Sequence, residues 1–356
     1  MKKFLLVSLC AGAALAAAAP ANPEMQKVLD KLGTLGGKPI ETLTAVEARK
    51  QPTPADAVKG TLTDQGKSTA PEAVAKVEDK MIPGAAGQQA ARIYTPKATG
   101  GAMPVILYFH GGGWVIASKD VYDATPRALA NLTHAIIVSV DYRSGPENKF
   151  PAAHDDALAE YKWVLANAAS LGGDPARVAV AGESAGGNLA ASVSMAARDQ
   201  KLQMPVHELL VYPVAGYDMN TASYQENADA KPLSKPMMSW FFKQYLNSPA
   251  DGKDPRISLV SADLQGMPET TIVSAQIDPL RSEGEQLAKQ LKAAGVRVEQ
   301  KTWKGVTHEF FGMGAAVPEA KEAEQWAGAR LAKAFSTGKG KPMGRAAPRS
   351  SKPKPQ

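Results

Sequence analysis

The sequence predicts an α/β fold in which a mostly parallel sheet is covered by helices on both faces. Short apolar runs, typical of buried strands, alternate with longer segments of helical periodicity from residue 105 onward. Parallel strands need long crossover connections, and the helices that make these crossovers cover the sheet. The chain of 356 residues, 44% hydrophobic and 21% charged, is long enough for one large domain of this class.

The individual elements follow from this alternation. Six apolar runs predict buried strands, at Val105–Phe109, Ala135–Val140, Val178–Ala181, Glu208–Tyr212, Thr271–Ser274 and Arg297–Lys301. Five segments between and after them predict helices, at Tyr122–Leu132, Ala152–Ala169, Ala185–Arg198, Arg281–Ala294 and Pro318–Ala334. Upstream, period-two alternation over Ala75–Ile82 and Gln88–Tyr94 predicts two paired strands with a turn at Pro83-Gly84.

Two segments lie outside this regular pattern. Residues 22–72 are polar and interrupted by prolines, with weak helical patterning around Met25–Leu32, so we expect short helices and loops there rather than a core. Ser223–Leu246 is too long for a simple connection and predicts an inserted helical cap within residues 216–247. The expected organisation is an N-terminal cap or linker over 22–72 and a main domain over 73–338.

The N-terminus has the composition of a signal peptide over residues 1–21. Lys2 and Lys3 precede an Ala-rich apolar run, and small residues follow it. The run of about 16 residues is shorter than the roughly 20 needed to span a bilayer, which favours cleavage over a membrane anchor and predicts export to the periplasm or medium. The only cysteine, Cys10, lies in this segment, so the mature chain would offer no thiol nucleophile, thiolate metal site or disulfide.

The formal net charge of +6 is concentrated at the C-terminus. Six basic and no acidic residues lie in the last stretch, at Lys339, Lys341, Arg345, Arg349, Lys352 and Lys354. One interpretation is a tail that binds nucleic acid or an acidic surface. The abundance of Pro, Gly, Ser and Lys instead favours a solvated, disordered tail over residues 339–356, so no nucleic-acid partner is expected.

The pentapeptide Gly182–Gly186 has the form G-x-S-x-G and lies between a predicted strand and a predicted helix. That context is the one in which the motif forms a nucleophile elbow, with Ser184 exposed on a sharp turn. Small residues two positions before and after Ser184 allow the strand and helix to approach closely. The helix N-terminus beneath it favours developing negative charge.

A second glycine-rich loop, His110-Gly111-Gly112-Gly113-Trp114, follows the strand Val105–Phe109. Acyl transfer needs backbone N–H groups directed at the tetrahedral oxyanion, and glycines allow that close approach. We predict an oxyanion hole from Gly111, Gly112 and Gly113 together with Ala185. Gly112, Gly113 and Ala185 are its expected donors, and Gly111 shapes the turn.

A serine nucleophile also needs a base and an orienting acid. Chain order in this fold is Ser, acid, His, and only His207 and His308 follow Ser184. His207 begins a buried strand, whereas His308 lies in a loop after the last strand, so His308 is the predicted base. Asp278 follows the preceding strand and is the predicted acid. The competing carboxylates are Glu283 and Glu285, which fall on the next helix, where we expect them to be solvated.

These motifs together resemble the hormone-sensitive-lipase family of esterases, the bacterial group called family IV, over about residues 105–334. The matching stretches are HGGGW at His110–Trp114, DYR at Asp141–Arg143, PE at Pro146-Glu147, FPAAHDD at Phe150–Asp156, GESAGGN at Gly182–Asn188, YP at Tyr212-Pro213, DPLRSEG at Asp278–Gly284 and THEFF at Thr307–Phe311. The resemblance implies an α/β-hydrolase fold and assigns Ser184, Asp278 and His308 to a catalytic triad. Three departures stand out: Ser144-Gly145 replaces the usual Leu-Ala, Glu309 replaces the commoner Gly, and residues 22–72 match weakly.

The sequence therefore predicts a carboxylesterase acting on small ester molecules of short to medium acyl chain, with no metal or cofactor. Trp114, Trp240 and Phe241 are candidates for the substrate pocket, although packing between cap and body explains each equally well. Alternatives are an amidase or a long-chain lipase on the same site. A ligand-binding protein without catalysis is less expected, because family members of that kind have lost the triad histidine and His308 is present. Oligomeric state is left open.

Overall fold

In the computed structural model, residues 19–98 and 100–337 are described, and they contain the α/β architecture that the alternation predicts. The predicted C-terminal tail and nearly all of the predicted signal peptide lie outside the described residues, so export and the tail remain predictions. No helix in the described ranges is both long and apolar enough to cross a membrane.

Eight strands form one sheet in the order β1-β2-β4-β3-β5-β6-β7-β8. Their bounds are β1 Lys76–Gly84, β2 Gly87–Thr95, β3 Met103–Phe109, β4 Ile136–Val140, β5 Gly173–Glu183, β6 Glu208–Val211, β7 Thr270–Ile277 and β8 Val298–Thr307. β1 pairs with β2 and β2 with β4 in antiparallel fashion, and every other neighbouring pair is parallel. The α/β-hydrolase fold class is thereby confirmed.

The described helices connect and cover these strands. They are α1 Pro23–Thr34, α2 Ala45–Ala48, α3 Pro54–Asp64, α4 Ala124–Thr133, α5 Ala152–Asn167, α6 Ala185–Asp199, α7 Ala222–Glu226, α8 Lys235–Tyr245, α9 Arg281–Ala293 and α10 Pro318–Thr337. The sheet is buried on both faces, because Leu107 and Phe109 of β3 join the core on one face and Ile106 and Tyr108 join the core on the other. Strands buried on both faces explain the continuous apolar runs of the sequence.

The N-terminal segment forms the expected short helices, but it also contributes to the core, contrary to the expectation. Met25 and Val28 of α1 and Ala57 of α3 are buried. The backbone N–H of Asn22 donates to the carbonyl of Gly305 at 2.8 Å, which joins the start of α1 to β8. The helical pattern in the sequence is weak because α1 and α3 are short and are stabilised by packing on each other, with further contacts to β8 and to the segment after His308.

Candidate active site

The nucleophile elbow is formed between β5 and α6, with Ser184 at its apex. Ser184 has φ 56° and ψ −117°, which a non-glycine residue adopts only under strain. A Cβ at Gly182 would collide with the backbone of Gly186, and a Cβ at Gly186 would collide with the carbonyls at the end of β3. Both glycines are therefore required for the strand and helix to meet at this turn.

The structure brings the three residues of the predicted triad together. His308 Nε2 lies 3.0 Å from Ser184 Oγ, and His308 Nδ1 lies 2.7 Å from Asp278 Oδ2. Asp278 follows the end of β7 and His308 follows the end of β8, so neighbouring parallel strands deliver both to one edge of the sheet. The other carboxylate oxygen, Asp278 Oδ1, accepts from the backbone N–H of Leu280 at 2.8 Å. All three triad side chains are buried.

The competing residues have other surroundings. His207 is buried before β6 with Nε2 2.9 Å from Thr271 Oγ1, and burial lowers its pKa to about 4. Glu285 is exposed, as expected. The expectation that Glu283 is solvated is wrong, because Glu283 is buried and accepts from the backbone N–H of Ala215 at 3.0 Å. Burial raises the pKa of Glu283 well above the usual range.

The glycine-rich loop lies beside the elbow. Gly112 and Gly113 have φ values of 96° and 60°, a region in which side chains are disfavoured, and both line the cavity that contains Ser184. Ala185 is the first residue of α6, where backbone N–H groups have no partner within the helix. Gly111 is not among the cavity-lining residues. A Cβ there would collide with the Tyr122 hydroxyl, which agrees with a role for Gly111 in shaping the turn.

A cavity of about 350 Å³ opens onto Ser184 and His308. Much of its apolar wall comes from the N-terminal segment and from the insertion before and within α8, and Ile116, Ala117 and Val121 of the main domain complete it. The apolar residues from the first two segments include Leu29, Leu32, Ile40, Pro232, Leu233, Met237 and Phe241. Of the predicted pocket residues, Phe241 therefore lines the cavity, with its ring against Gly113. The sequence did not single out the leucines of α1, although their spacing of three is that of one helix face.

Trp114 and Trp240 do not line the cavity, which corrects two of the three pocket assignments. Trp114 is fully buried and stacks on Tyr245 with ring centroids 4.9 Å apart. Trp240 packs against Phe241, and its Nε1 donates to the carbonyl of Leu43 at 3.1 Å. Consecutive residues on a helix point in different directions. Trp240 therefore joins α8 to the N-terminal segment, while Phe241 faces the cavity.

Comparisons with known proteins agree with this geometry. A family model for the α/β-hydrolase fold matches residues 106–312. The chain belongs to the hormone-sensitive-lipase-like family of α/β-hydrolase esterases. It is 41% identical over 237 residues to Carboxylesterase NlhH of Mycobacterium tuberculosis, covering 65% of this chain and 74% of the relative.

Two further relatives cover more of this esterase. An ethyl acetate hydrolase of Pseudomonas putida is 33% identical over 309 residues, which is 85% of this chain and 95% of the relative. The solved structure of a hyperthermophilic esterase from Pyrobaculum calidifontis is 36% identical and superimposes with a TM-score of 0.81, covering 88% of this chain and 99% of the other. Both matches extend beyond the range covered by the family model.

Glu309 places a second carboxylate beside the histidine of this esterase. It has φ 69°, a left-handed conformation that favours glycine, and its Oε1 lies 3.8 Å from His308 Nε2. Burial lowers the pKa of His308, but the Asp278 carboxylate and then that of Glu309 outweigh burial, so the pKa is raised. Glu309 thus contributes to the basicity of His308. Burial has the opposite effect on a carboxylic acid, so the pKa of Glu309 itself is raised.

Replacing Glu309 with Gln should shift the acid limb of the kcat/KM profile to lower pH. His308 must be neutral to accept a proton, so activity falls as pH drops through its pKa in the free enzyme. A neighbouring carboxylate favours the protonated imidazole, and removing that charge lowers the pKa. The profile is measured with a neutral ester, and Glu285→Gln, an exposed carboxylate outside the cavity, is the matched control. An unchanged limb, or a shift to higher pH, would contradict this electrostatic role.

Proposed function

We propose that this esterase hydrolyses esters of short to medium acyl chain through an acyl-enzyme formed on Ser184. The supporting observation is the continuous chain of contacts from Ser184 Oγ through the imidazole of His308 to Asp278 Oδ2, at 3.0 and 2.7 Å. Ester hydrolysis is the chemistry of the family, and a serine becomes nucleophilic when a base within this distance accepts its proton.

In the acylation step, Ser184 Oγ attacks the ester carbonyl while His308 Nε2 accepts the hydroxyl proton. The carbonyl oxygen becomes an oxyanion, and the N–H groups of Gly112, Gly113 and Ala185 are the donors proposed to stabilise it. Removing one such donor typically lowers kcat by about 100- to 1000-fold. Collapse of the tetrahedral intermediate releases the alcohol, which takes the proton from His308.

In the deacylation step, water attacks the acyl carbonyl and His308 again accepts a proton. The second tetrahedral intermediate then releases the acid, and Ser184 Oγ regains its proton from His308. Throughout, Asp278 holds the imidazole with Nδ1–H directed at the carboxylate and stabilises the imidazolium. Among the described residues, no group of three or more His, Cys, Asp or Glu is arranged to hold a metal ion.

The cavity supports a small ester as substrate. Its volume of about 350 Å³ lies at the lower end of the roughly 300–1000 Å³ typical of small-molecule sites, and its wall is mainly apolar. The relative from Pseudomonas putida is named for ethyl acetate, an ester with a two-carbon acyl group. These observations favour short and medium acyl groups over long-chain lipids, and the intact triad geometry favours catalysis over ligand binding alone.

Replacing Phe241 with Ala should shift the preference toward longer acyl chains. The ring of Phe241 lies against Gly113 beside the nucleophile, so truncation enlarges the apolar cavity where the acyl group meets Ser184. Each methylene accommodated in a pocket is worth about 1–3 kcal/mol, so the ratio of kcat/KM for octanoate over butyrate p-nitrophenyl esters should rise about tenfold or more.

Phe242→Ala is the matched control, because Phe242 is also buried on α8 but does not line the cavity. It should leave the octanoate-to-butyrate ratio unchanged even if the protein becomes less stable. The butyranilide amide, assayed in parallel, tests the amidase alternative. An equal change in both variants would show that Phe241 does not define the acyl site. Comparable kcat/KM for amide and ester would contradict the proposed preference for esters.

A further inference from the structure

A second, smaller cavity lies behind the active site. It has a volume of about 50 Å³ and is separate from the larger, substrate-sized cavity. Its wall combines the start of α3, the start of α4 and the segment after His308, with contributions from Pro54, Ala55, Val58, Val121, Tyr122, Ala124, Thr125, Glu183, Glu309, Gly312 and Met313. Glu183 marks its buried end and the exposed Ala124 its solvent end, so the cavity connects the interior with the surface.

The size and polarity of this small cavity suit water. A buried water needs a cavity of roughly 10–15 Å³ and two to four polar partners, so the small cavity is large enough to hold water. Its polar lining residues are Tyr122, Thr125, Glu183 and Glu309, and the carboxylate of Glu183 also accepts hydrogen bonds from Tyr108 and Tyr212. Thr125 is 1% exposed, and its hydroxyl has no partner at full hydrogen-bond geometry among the described residues, although it lies close enough to the Glu183 carboxylate to favour its charged form. A buried hydroxyl of this kind is satisfied when a water molecule binds to it.

Tyr122 and Glu309 are the polar residues of the partition between the two cavities, to which Pro54 and Val121 also contribute. Each lines both of them, and the Tyr122 hydroxyl donates to the Glu309 carboxylate, 2.6 Å from either oxygen. On the far side of this partition, Glu309 Oε1 lies 3.8 Å from His308 Nε2, the nitrogen that must accept a proton from water during deacylation. A polar route therefore runs from the surface near Ala124, past Thr125 and Glu309, to the catalytic base.

Deacylation gives this route a function. In the acyl-enzyme, the acyl group occupies part of the large cavity and displaces water from its apolar wall. We infer that the small cavity supplies the water that hydrolyses the acyl-enzyme, with Glu309 as the positioning residue that orients this water toward His308. The inference rests on the acyl-enzyme mechanism proposed above for Ser184.

The step balances without any further reactant. The water oxygen forms a bond to the acyl carbonyl carbon, and one water proton moves to His308 Nε2. The bond between that carbon and Ser184 Oγ then breaks, and the proton on His308 returns to Ser184. Glu309 accepts a hydrogen bond from the incoming water and neither gains nor loses a proton overall.

Two substitutions alter the small cavity without touching the reacting atoms. Thr125→Val replaces the unpartnered hydroxyl with a methyl group of similar shape. Gly312→Ala places a methyl group about 3.1 Å from Thr125 Oγ1, where it competes with water, and Gly312 has an ordinary φ that alanine can adopt. Thr61→Val is the matched control, because Thr61 is also buried with an unpartnered hydroxyl but lines neither cavity.

The experiment measures how the acyl-enzyme partitions between water and butan-1-ol. With p-nitrophenyl butyrate as acyl donor, the ratio of butyrate to butyl butyrate compares hydrolysis with alcoholysis whatever step limits turnover. Butan-1-ol is too large for the small cavity and must enter through the large one. We expect the ratio of butyrate to butyl butyrate to fall about tenfold in both cavity variants, because each loses about one hydrogen bond to the water. The value of kcat/KM, which reports acylation, should stay within about twofold of wild type.

The water route and the acyl-enzyme mechanism would be contradicted by different results of this experiment. An unchanged ratio in folded Thr125→Val and Gly312→Ala proteins, or an equal fall in Thr61→Val, would overturn the water route. If the wild type forms no butyl butyrate at any alcohol concentration, the acyl-enzyme mechanism itself fails. A thermal melt of each variant confirms that the compared proteins are folded.

Discussion

Ser184→Ala and His308→Ala should each lower kcat by about a millionfold, and the double variant should be little worse than either single one. Triad members act as a unit: once either the nucleophile or its base is removed, the acyl-enzyme is no longer formed. Direct attack of water on the bound ester is then the main remaining reaction. The residual activity, about 1000- to 10,000-fold above the uncatalysed rate, would come from the oxyanion donors and from substrate binding. The measurement is kcat for p-nitrophenyl butyrate hydrolysis.

Two controls sharpen this test. His207→Ala removes another buried histidine, but its ring contacts Thr271 rather than the nucleophile, so it should retain nearly wild-type kcat once folded. A p-nitrophenyl phosphonate should label Ser184 alone in the wild type, and mass spectrometry of the digested protein locates the adduct. A greater loss in His207→Ala than in His308→Ala, or an adduct on another serine, would contradict the assignment.

The nucleophile elbow and the glycine loop could be predicted because their geometry is encoded locally. The close approach of β5 and α6 requires glycine at fixed offsets from Ser184, and the left-handed values of φ at Gly112 and Gly113 require it again. His308 and Asp278 could be placed because parallel strands deliver the residues that follow them to one edge of the sheet. Chain order then distinguished these two residues from their competitors.

The cavity wall could not be predicted in the same way. It depends on which helix faces meet across long stretches of sequence, such as α1 with the insertion around α8. The size of a tryptophan side chain suggests a pocket residue. In the structure, however, Trp114 stacks on Tyr245 and Trp240 donates a hydrogen bond to the carbonyl of Leu43, and both contacts lie away from the cavity. The burial of Glu283 could not be predicted for a related reason. Its carboxylate accepts a hydrogen bond from the backbone N–H of Ala215, which lies 68 residues away in the chain.

The cap also influences the site through Arg49, which carried no sequence signal. Its Nε donates to the carbonyl of Val115 at 2.8 Å and its guanidinium donates to the carbonyl of Gly145 at 2.6 Å. The same guanidinium forms an ion pair with Glu147 at 2.7 Å. These bonds join the N-terminal segment to the end of the glycine loop, so the segment that shapes the substrate cavity also holds the loop of the proposed oxyanion donors.

Asp278→Asn should lower kcat by about 10,000-fold while leaving the fold intact, and the structure indicates why the loss is so large. The backbone N–H of Leu280 donates to Oδ1 at 2.8 Å, and an asparagine can keep that bond only by placing its carbonyl oxygen there. The amide NH₂ then faces His308 Nδ1, where the native carboxylate lies at 2.7 Å. An N–H donor at that position forces Nδ1 to accept and leaves the proton on Nε2.

In that tautomer His308 cannot accept the proton of Ser184. The variant therefore keeps the geometry of the triad, but its imidazole carries the proton on the wrong nitrogen. The measurement is kcat for p-nitrophenyl butyrate beside a thermal melt, and phosphonate labelling of Ser184 should slow in parallel. Glu285→Asn, an exposed carboxylate on the following helix, should retain full activity. A loss of less than about tenfold in Asp278→Asn would mean that the carboxylate does not set the tautomer, and that packing alone holds the imidazole toward Ser184.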